Sequence, residues 1–349
     1  MAGLFVQKHA DAVRAQGVEV RVIHSQTWRD MFSQWKQLRR EGWMPDIVQL
    51  NVIQKQGLLA LYLKRCFHIP YIIVEHWSGY LPENGQYMHQ SGIKRKLCEH
   101  IAAQASLILP VSNILGESMR RCGIQNSHWQ KINNVVDDFF YQESGNPAIR
   151  QSNNPTIQQS SNPKLIIPKT LLHVSCFDER AKNVKGLLRA AKILSQRRQD
   201  WILVLVGTGI DYADVRAYAK SLLIPDDFLR WTGELTSVQV AEEFYKADIF
   251  ILPSNYENAP VVLSESLATG TPVIATRAGG MPEMISKEYG ILVPPRNDQA
   301  LADAMDYMLD HYCDYDTTVI RKAGEQYSFA AVGKQLKEIY TQCLVSTSY

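Results

Sequence analysis

The sequence predicts an α/β protein made of two doubly wound, Rossmann-like domains, and three observations predict it. At 349 residues the chain can bury two separate cores. Short apolar runs recur along it, among them PDIVQLNV (45–52), YIIVE (71–75), LILPV (107–111), WILVLV (201–206) and IFIL (249–252), as expected of strands buried on both faces. Segments with helical spacing separate these runs, and strand–helix alternation builds a parallel sheet.

Taken in order, 5–16 has helical spacing, Gly17 ends it, and 18–23 (VEVRVI) alternates as a strand. A doubly wound domain begins with a strand before its first helix, and that strand is usually central. None is read before Phe5, so the expectation is a fragment or a misplaced start codon, with the N-terminal domain lacking its first strand. After the strand at 45–52 come a helix over 58–65 and the strand at 71–75, closed by His76-Trp77-Ser78-Gly79-Tyr80. A helix carrying Lys94-Arg95-Lys96 leads to the strand at 107–111, and Ser112-Asn113 caps the next helix. Asn146-Pro147, Asn154-Pro155 and Asn162-Pro163 then recur at eight-residue spacing. That stretch is too poor in large apolar groups to bury a core, so 144–169 reads as a flexible linker between domains at 1–143 and 170–327.

The second domain opens with a strand over 170–174, a polar loop over 175–184, a helix over 186–196 and the strand at 201–206. Gly207-Thr208-Gly209 follows, but Tyr212 stands where a dinucleotide fingerprint needs its third glycine, which argues against an NAD-dependent oxidoreductase. The closing segment 330–344 places Val332, Leu336, Ile339, Tyr340 and Cys343 at helical spacing.

Composition bounds the function. Hydrophobic content of 46% and charged content of 21% are those of a soluble globular protein, and no apolar run has the length of a membrane span. Six scattered cysteines without a CxxC pair read as reduced thiols of a cytoplasmic protein. Residues 1–150 carry 17 Lys and Arg against 12 Asp and Glu, a surplus that suits an anionic membrane surface or acceptor as well as a plain solvated surface. No basic–aromatic pattern points to nucleic acid.

The most informative stretch is ADIFILPSNYENAPVVLSESLATGTPVIATRAGGMPEMI (247–285). Its apolar run stops at Pro253, a polar loop follows, and Pro260 suits the first turn of a helix that ends at Gly270. A second strand, the Gly279-Gly280 turn and a helix opening at Pro282-Glu283 complete the unit. Glu257 falls in the loop at the strand's carboxyl end, and Glu265 about two turns inside the helix. The amides of Asn258, Ala259, Pro260, Val261 and Val262 surround that helix's amino end (Pro260 itself lacks an N–H), where phosphate is attracted. Carboxylates beside such an end accept hydrogen bonds from hydroxyls. The combination suits a nucleotide-sugar.

The pattern Glu257-x7-Glu265, preceded by Pro253-Ser254 and followed by Ala268-Thr269-Gly270-Thr271-Pro272-Val273-Ile274-Ala275 and Gly279-Gly280-Met281-Pro282-Glu283, resembles the donor-site signature of family-4 retaining glycosyltransferases of the GT-B fold. The resemblance extends to Gly3–Ala10 (Gly-x-Phe-x-x-x-His-Ala), to Glu75-His76-Trp77-Ser78 and to Lys182. It implies two Rossmann-like domains facing across a cleft, with residues 328–349 crossing back to the first domain. It implies transfer of a sugar from a UDP- or GDP-sugar to a glycan or lipid-linked acceptor, with retention, no cofactor and no metal. By the same resemblance Glu257 contacts the transferred sugar, Glu265 the ribose, and the loop amides with Lys182 the diphosphate. His76 touches the sugar from the first domain, and Gly3 joins the donor site. The family often has Arg where this sequence has Cys176, so Arg180 stands as the substitute cation. The setting implied is bacterial cell-envelope polysaccharide synthesis, in the cytoplasm or at the inner face of the membrane. A nucleotide-sugar epimerase and a truncated sugar-nucleotide-binding relic remain alternatives. Asp314-Tyr315-Asp316 is set aside as a metal motif, because it lies in an acidic, Tyr-rich connection rather than at a strand end.

Overall fold

The computed structural model describes residues 2–25, 27–142 and 168–346; the expected linker lies outside them but for its last two residues. The chain forms two compact units, Met1–Val135 with Phe329–Tyr349, and Val136–Ser328.

The first unit contains α1 (Ala2–Arg14), α2 (Trp28–Arg40), β1 (Val48–Asn51), α3 (Gly57–Phe67), β2 (Tyr71–Glu75), α4 (Gly92–Gln104), β3 (Leu107–Pro110) and α5 (Asn113–Arg121). The three strands form one parallel sheet in the order β1-β2-β3, with Val48 opposite Tyr71 and Ile72 opposite Leu107. Every residue of the central strand β2 is buried. The closing helix Phe329–Ser346 packs on α1 so tightly that a Cβ at Gly333 would lie 2.3 Å from the Ala12 carbonyl oxygen.

Two expectations fail here. Val18–Ile23 forms no strand. Alternation only makes a segment able to pair, and the described sheet takes no fourth strand. The sequence reading also passed over α2. Its N-cap is Thr27, whose hydroxyl accepts the Asp30 N–H at 3.3 Å, and it buries Met31 and Trp35 against Leu59, Leu63 and Ile69.

The second unit is built on β4 (Lys169–Val174), β5 (Trp201–Val206), β6 (Leu229–Gly233), β7 (Ile249–Leu252), β8 (Val273–Thr276) and β9 (Gly290–Val293). All pair in parallel, in the order β6-β5-β4-β7-β8-β9. The strand order reverses between β4 and β7, and open α/β sheets bind ligands at the carboxyl ends of the strands beside such a switch point. Alternate residues feed two cores. Leu171, Leu203, Ile249 and Ile274 face one, and Leu172, Val204, Phe250 and Val273 face the other.

Helices cover the sheet: α6 (Glu179–Lys182, a single turn), α7 (Val184–Ser195), α8 (Tyr212–Ser221), α9 (Ser237–Lys246), α10 (Val261–Thr269), α11 (Asp298–His311) and α12 (Thr317–Gly324). The helix expected at Pro282-Glu283 is only a 3-10 turn, Met281–Glu283, because the chain must turn back into β9 at Gly290. Asp316 caps α12 by accepting the Thr318 N–H at 2.8 Å, which is an ordinary structural task.

Candidate functional site

The loops that leave β4 and β7 carry the candidate residues of the second unit. Asp178 caps the single turn α6, and Asn183 ends it with a left-handed φ of 52°. That turn brings Lys182 back over the sheet, where its Nζ donates to Glu257 Oε1. Both side chains are mostly buried, at 16% and 12% exposure. The Ser254 hydroxyl donates to the same carboxylate oxygen at 2.9 Å. Burial works to lower the Lys182 ammonium, but the charge and hydrogen bond of Glu257 outweigh it and hold the group above its ordinary value. Lys182 is therefore a fixed cation at the switch point.

The two loops are stitched to each other through backbone. The Asn255 N–H donates to the Ala181 carbonyl at 2.7 Å, its side-chain amide to the Arg180 carbonyl at 3.0 Å, and the Asn183 amide to the Pro253 carbonyl at 3.3 Å. Beneath them His173 bonds the Ile251 carbonyl through Nδ1 at 2.9 Å, so its Nε2 accepts from the Ser175 hydroxyl at 2.8 Å. Its burial pushes the ring down to about 4, which keeps it neutral and structural.

Geometry explains the glycine at 279. Its φ is +53°, and a Cβ there would lie 1.8 Å from the Glu257 carbonyl oxygen. The bare backbone of this turn presses on Glu257, and the Gly280 N–H donates to that same carbonyl at 2.9 Å. Gly207, with φ +116°, likewise admits the Ser175 carbonyl, which would meet a Cβ at 2.0 Å.

The site residues expected in this unit therefore gather on two loops and one helix. Lys182 and Glu257 touch. Asn258 and Pro260 are buried at the start of α10, Ala259, Val261 and Val262 are half-buried, and Glu265 is buried inside the helix. The first N–H groups of α10 have no acceptor within the helix. Arg180 is exposed. Sequence reasoning missed Ser254, Asn183 and Asn255 as supports; Ser254 and Asn255 lie within three residues of Glu257, but only the fold shows which atoms meet.

His76 and Gly3 belong to the first unit. His76 leaves β2 with its ring stacked on Phe5 at 5.4 Å and tilted against His9 at 5.5 Å. Burial first, then the neighbouring His9, push His76 down to about 3, against a hydrogen bond to the Asn134 side chain. Gly3 lies in the first turn of α1, with open space where a Cβ would stand.

A parallel sheet with a cation, two carboxylates and a helix amino end at its switch point is an arrangement suited to an anionic ligand. Residues 158–326 match the family glycosyl transferases group 1. TuaC of Bacillus subtilis (strain 168), named for teichuronic acid biosynthesis, is 26% identical over 77% of this chain and 63% of its own length. The phosphatidyl-myo-inositol mannosyltransferase of Mycobacterium leprae is 28% identical over 52% of this chain and 48% of its own. The chain thus spans less than two thirds of the length of these relatives. HepE of Anabaena, solved with UDP, aligns with a TM-score of 0.75 at 18% identity, over 98% of this chain and 96% of that one. Sucrose-phosphate synthase of Thermosynechococcus elongatus aligns at 0.73 and 20%, over 98% and 93%. These likenesses establish the GT-B fold. Among the described residues no helix is long and apolar enough to cross a membrane.

Proposed function

We propose that this protein is a retaining glycosyltransferase that moves a sugar from a UDP- or GDP-sugar to an acceptor hydroxyl in cell-envelope polysaccharide or glycolipid synthesis. The observation that carries the reading is the Lys182–Glu257 pair at the β4/β7 switch point, beside the amino end of α10. A donor diphosphate would compete for the Lys182 ammonium and draw on the helix amides. Glu257, released from Lys182, would then accept hydrogen bonds from the transferred sugar, and Glu265 would hold the ribose. His76 would meet the sugar from the first unit. Catalysis of this kind is positioning and charge stabilisation, with no resident metal or cofactor assigned.

The test is a thermal-shift screen against UDP-, GDP- and ADP-sugars, followed by product analysis with and without acceptor. A ligand at about a hundred times its Kd should add about 2.7 kcal/mol of stability. No shift with any of them, at millimolar concentration, would remove the reading. Cys176 favours a second one, a sugar-nucleotide binder without transfer; a shift without product in either assay would support it.

Contact with an anionic, cytoplasm-facing membrane surface is part of the proposal. Trp28, Arg29, Phe32, Ser33 and Lys36 of α2 line a shallow depression of about 380 Å³. Half-buried aromatics beside basic side chains fit a headgroup layer. Flotation with phosphatidylglycerol vesicles but not with phosphatidylcholine vesicles is the expected result, and Arg29→Glu with Lys36→Glu should abolish it. Equal recovery on both vesicle types would refute the contact.

A further inference from the structure

The end of β2 holds a fully buried carboxylate, Glu75, to which no role has yet been given. Both of its oxygens are occupied by backbone. Oε1 accepts the N–H of His76 at 3.0 Å and of Trp77 at 2.9 Å, and Oε2 accepts the N–H of Ile53 at 2.9 Å. One side chain thus ties the loop leaving β2 to the loop leaving β1.

The loop leaving β1 is strained. Val52 has φ +64°, in the left-handed region that β-branched residues avoid. Its own N–H is held by the Val74 carbonyl at 2.8 Å, and the next N–H, that of Ile53, by Glu75. Strain of this kind persists only where the surroundings over-determine it. Packing alone does not account for a carboxylate here, since an apolar side chain would fill the space without the cost of desolvation. What a carboxylate adds is acceptors on both oxygens and no donor.

We propose that Glu75 is a positioning residue for His76: its carboxylate clamps the loops that leave β1 and β2 and thereby fixes the backbone from which the His76 ring projects. The proposal rests on the reading of His76 as a sugar contact. The ring itself packs on Phe5 and His9 and bonds to Asn134, so its place depends on where the backbone at 76 is held.

The test has two arms. In the unmodified protein, amide exchange at Ile53, His76 and Trp77 should be slow beside that at the exposed neighbours Gln54 and Lys55. Glu75→Gln keeps the shape but turns an NH2 group toward one of the three donors. It should speed exchange at those amides and lower kcat by about ten- to a hundredfold, with donor KM within about threefold. Adding Val52→Gly, which removes the cost of the positive φ, should restore part of the lost kcat. Wild-type amides at 53, 76 and 77 that exchange as fast as 54 and 55 would overturn the clamp. So would an unchanged kcat in Glu75→Gln, or a double variant no faster than the single one. If Glu75→Gln does not fold, the wild-type exchange rates still decide. If the wild-type protein transfers no sugar, the transferase reading fails, and those same rates still decide the clamp.

Discussion

At the strand ends of the second unit Lys182 and Glu257 oppose each other as charges, with Ser254 on the shared oxygen. At the end of β2 in the first unit Glu75 holds the His76 N–H and His9 lies against the His76 ring, and burial drives each of the three toward its neutral form. Glu75 is pushed up to about 7 against three backbone N–H bonds, His76 down to about 3, and His9 down to about 4 against its bond to the Asn133 carbonyl. The first arrangement keeps the Lys182 charge in place despite burial. The second spends its polar groups on fixing the backbone. The difference teaches that a buried ammonium and carboxylate keep their charges when they face each other, whereas burial beside backbone and neutral rings favours the neutral forms.

The largest expected effect falls on the charged pair. Lys182→Ala should lower transfer by about a hundred- to a thousandfold, and Glu257→Ala by about a hundredfold, with the far-UV spectrum unchanged. Turnover of either variant within a few-fold of wild type would dissolve the contrast, because the second unit would then hold no functional charge.

Gly279→Ala comes next. A Cβ would enter the space of the Glu257 carbonyl oxygen, in a backbone conformation that alanine resists. It should cost about 3 kcal/mol in urea titration and weaken donor-induced stabilisation. A stable variant with normal donor response would mean that the turn does not hold Glu257.

The first unit is sharpened by pH. Glu75 has a raised folded value, so its contribution is fully present below about 4.5 and is lost as pH rises through about 7. His9 and His76 have lowered values, so theirs is present above about 6.5 and is lost as pH falls through about 4 and about 3. Between pH 4.5 and 6.5 the two slopes oppose each other. Glu75→Gln removes one of them, and Tm of that variant should fall more steeply on acidification than that of the wild type. Parallel Tm profiles would show that Glu75 does not titrate in this window.

The smallest effect is expected at Arg180. It is exposed, so Arg180→Ala should change donor KM by less than about threefold. A larger loss would make it the cation that replaces the absent Arg at position 176.

The turns and helix that follow β7 were legible in the sequence because their signals are local. Pro253, Pro260, Gly270 and Gly279-Gly280 each act through their own backbone, and Glu257 and Glu265 are fixed by strand and helix length. The partner of Glu257 was not legible, because Lys182 is 75 residues away and reaches it through a single helical turn. In the first unit the sequence singles out His76 only through its neighbours Glu75, Trp77 and Ser78, and the ring contacts with Phe5 and His9 and the three amides on Glu75 depend on how α1, β1 and β2 pack. The strand misread at 18–23 and the overlooked α2 have the same origin. Period and propensity describe what a segment is able to form, and its neighbours decide.

The sequence alone determined the α/β class, the buried strands and the placing of Glu257 and Glu265 after β7, because apolar periodicity, proline and glycine act over a few residues. Only the tertiary structure decided which strands adjoin, and hence that β4 and β7 form the switch point where Lys182 and Glu257 meet. It also decided that Glu75 faces inward onto three peptide N–H groups rather than outward to water. Both outcomes depend on contacts between segments far apart in the chain, whose energies are set by burial and geometry that no local pattern encodes.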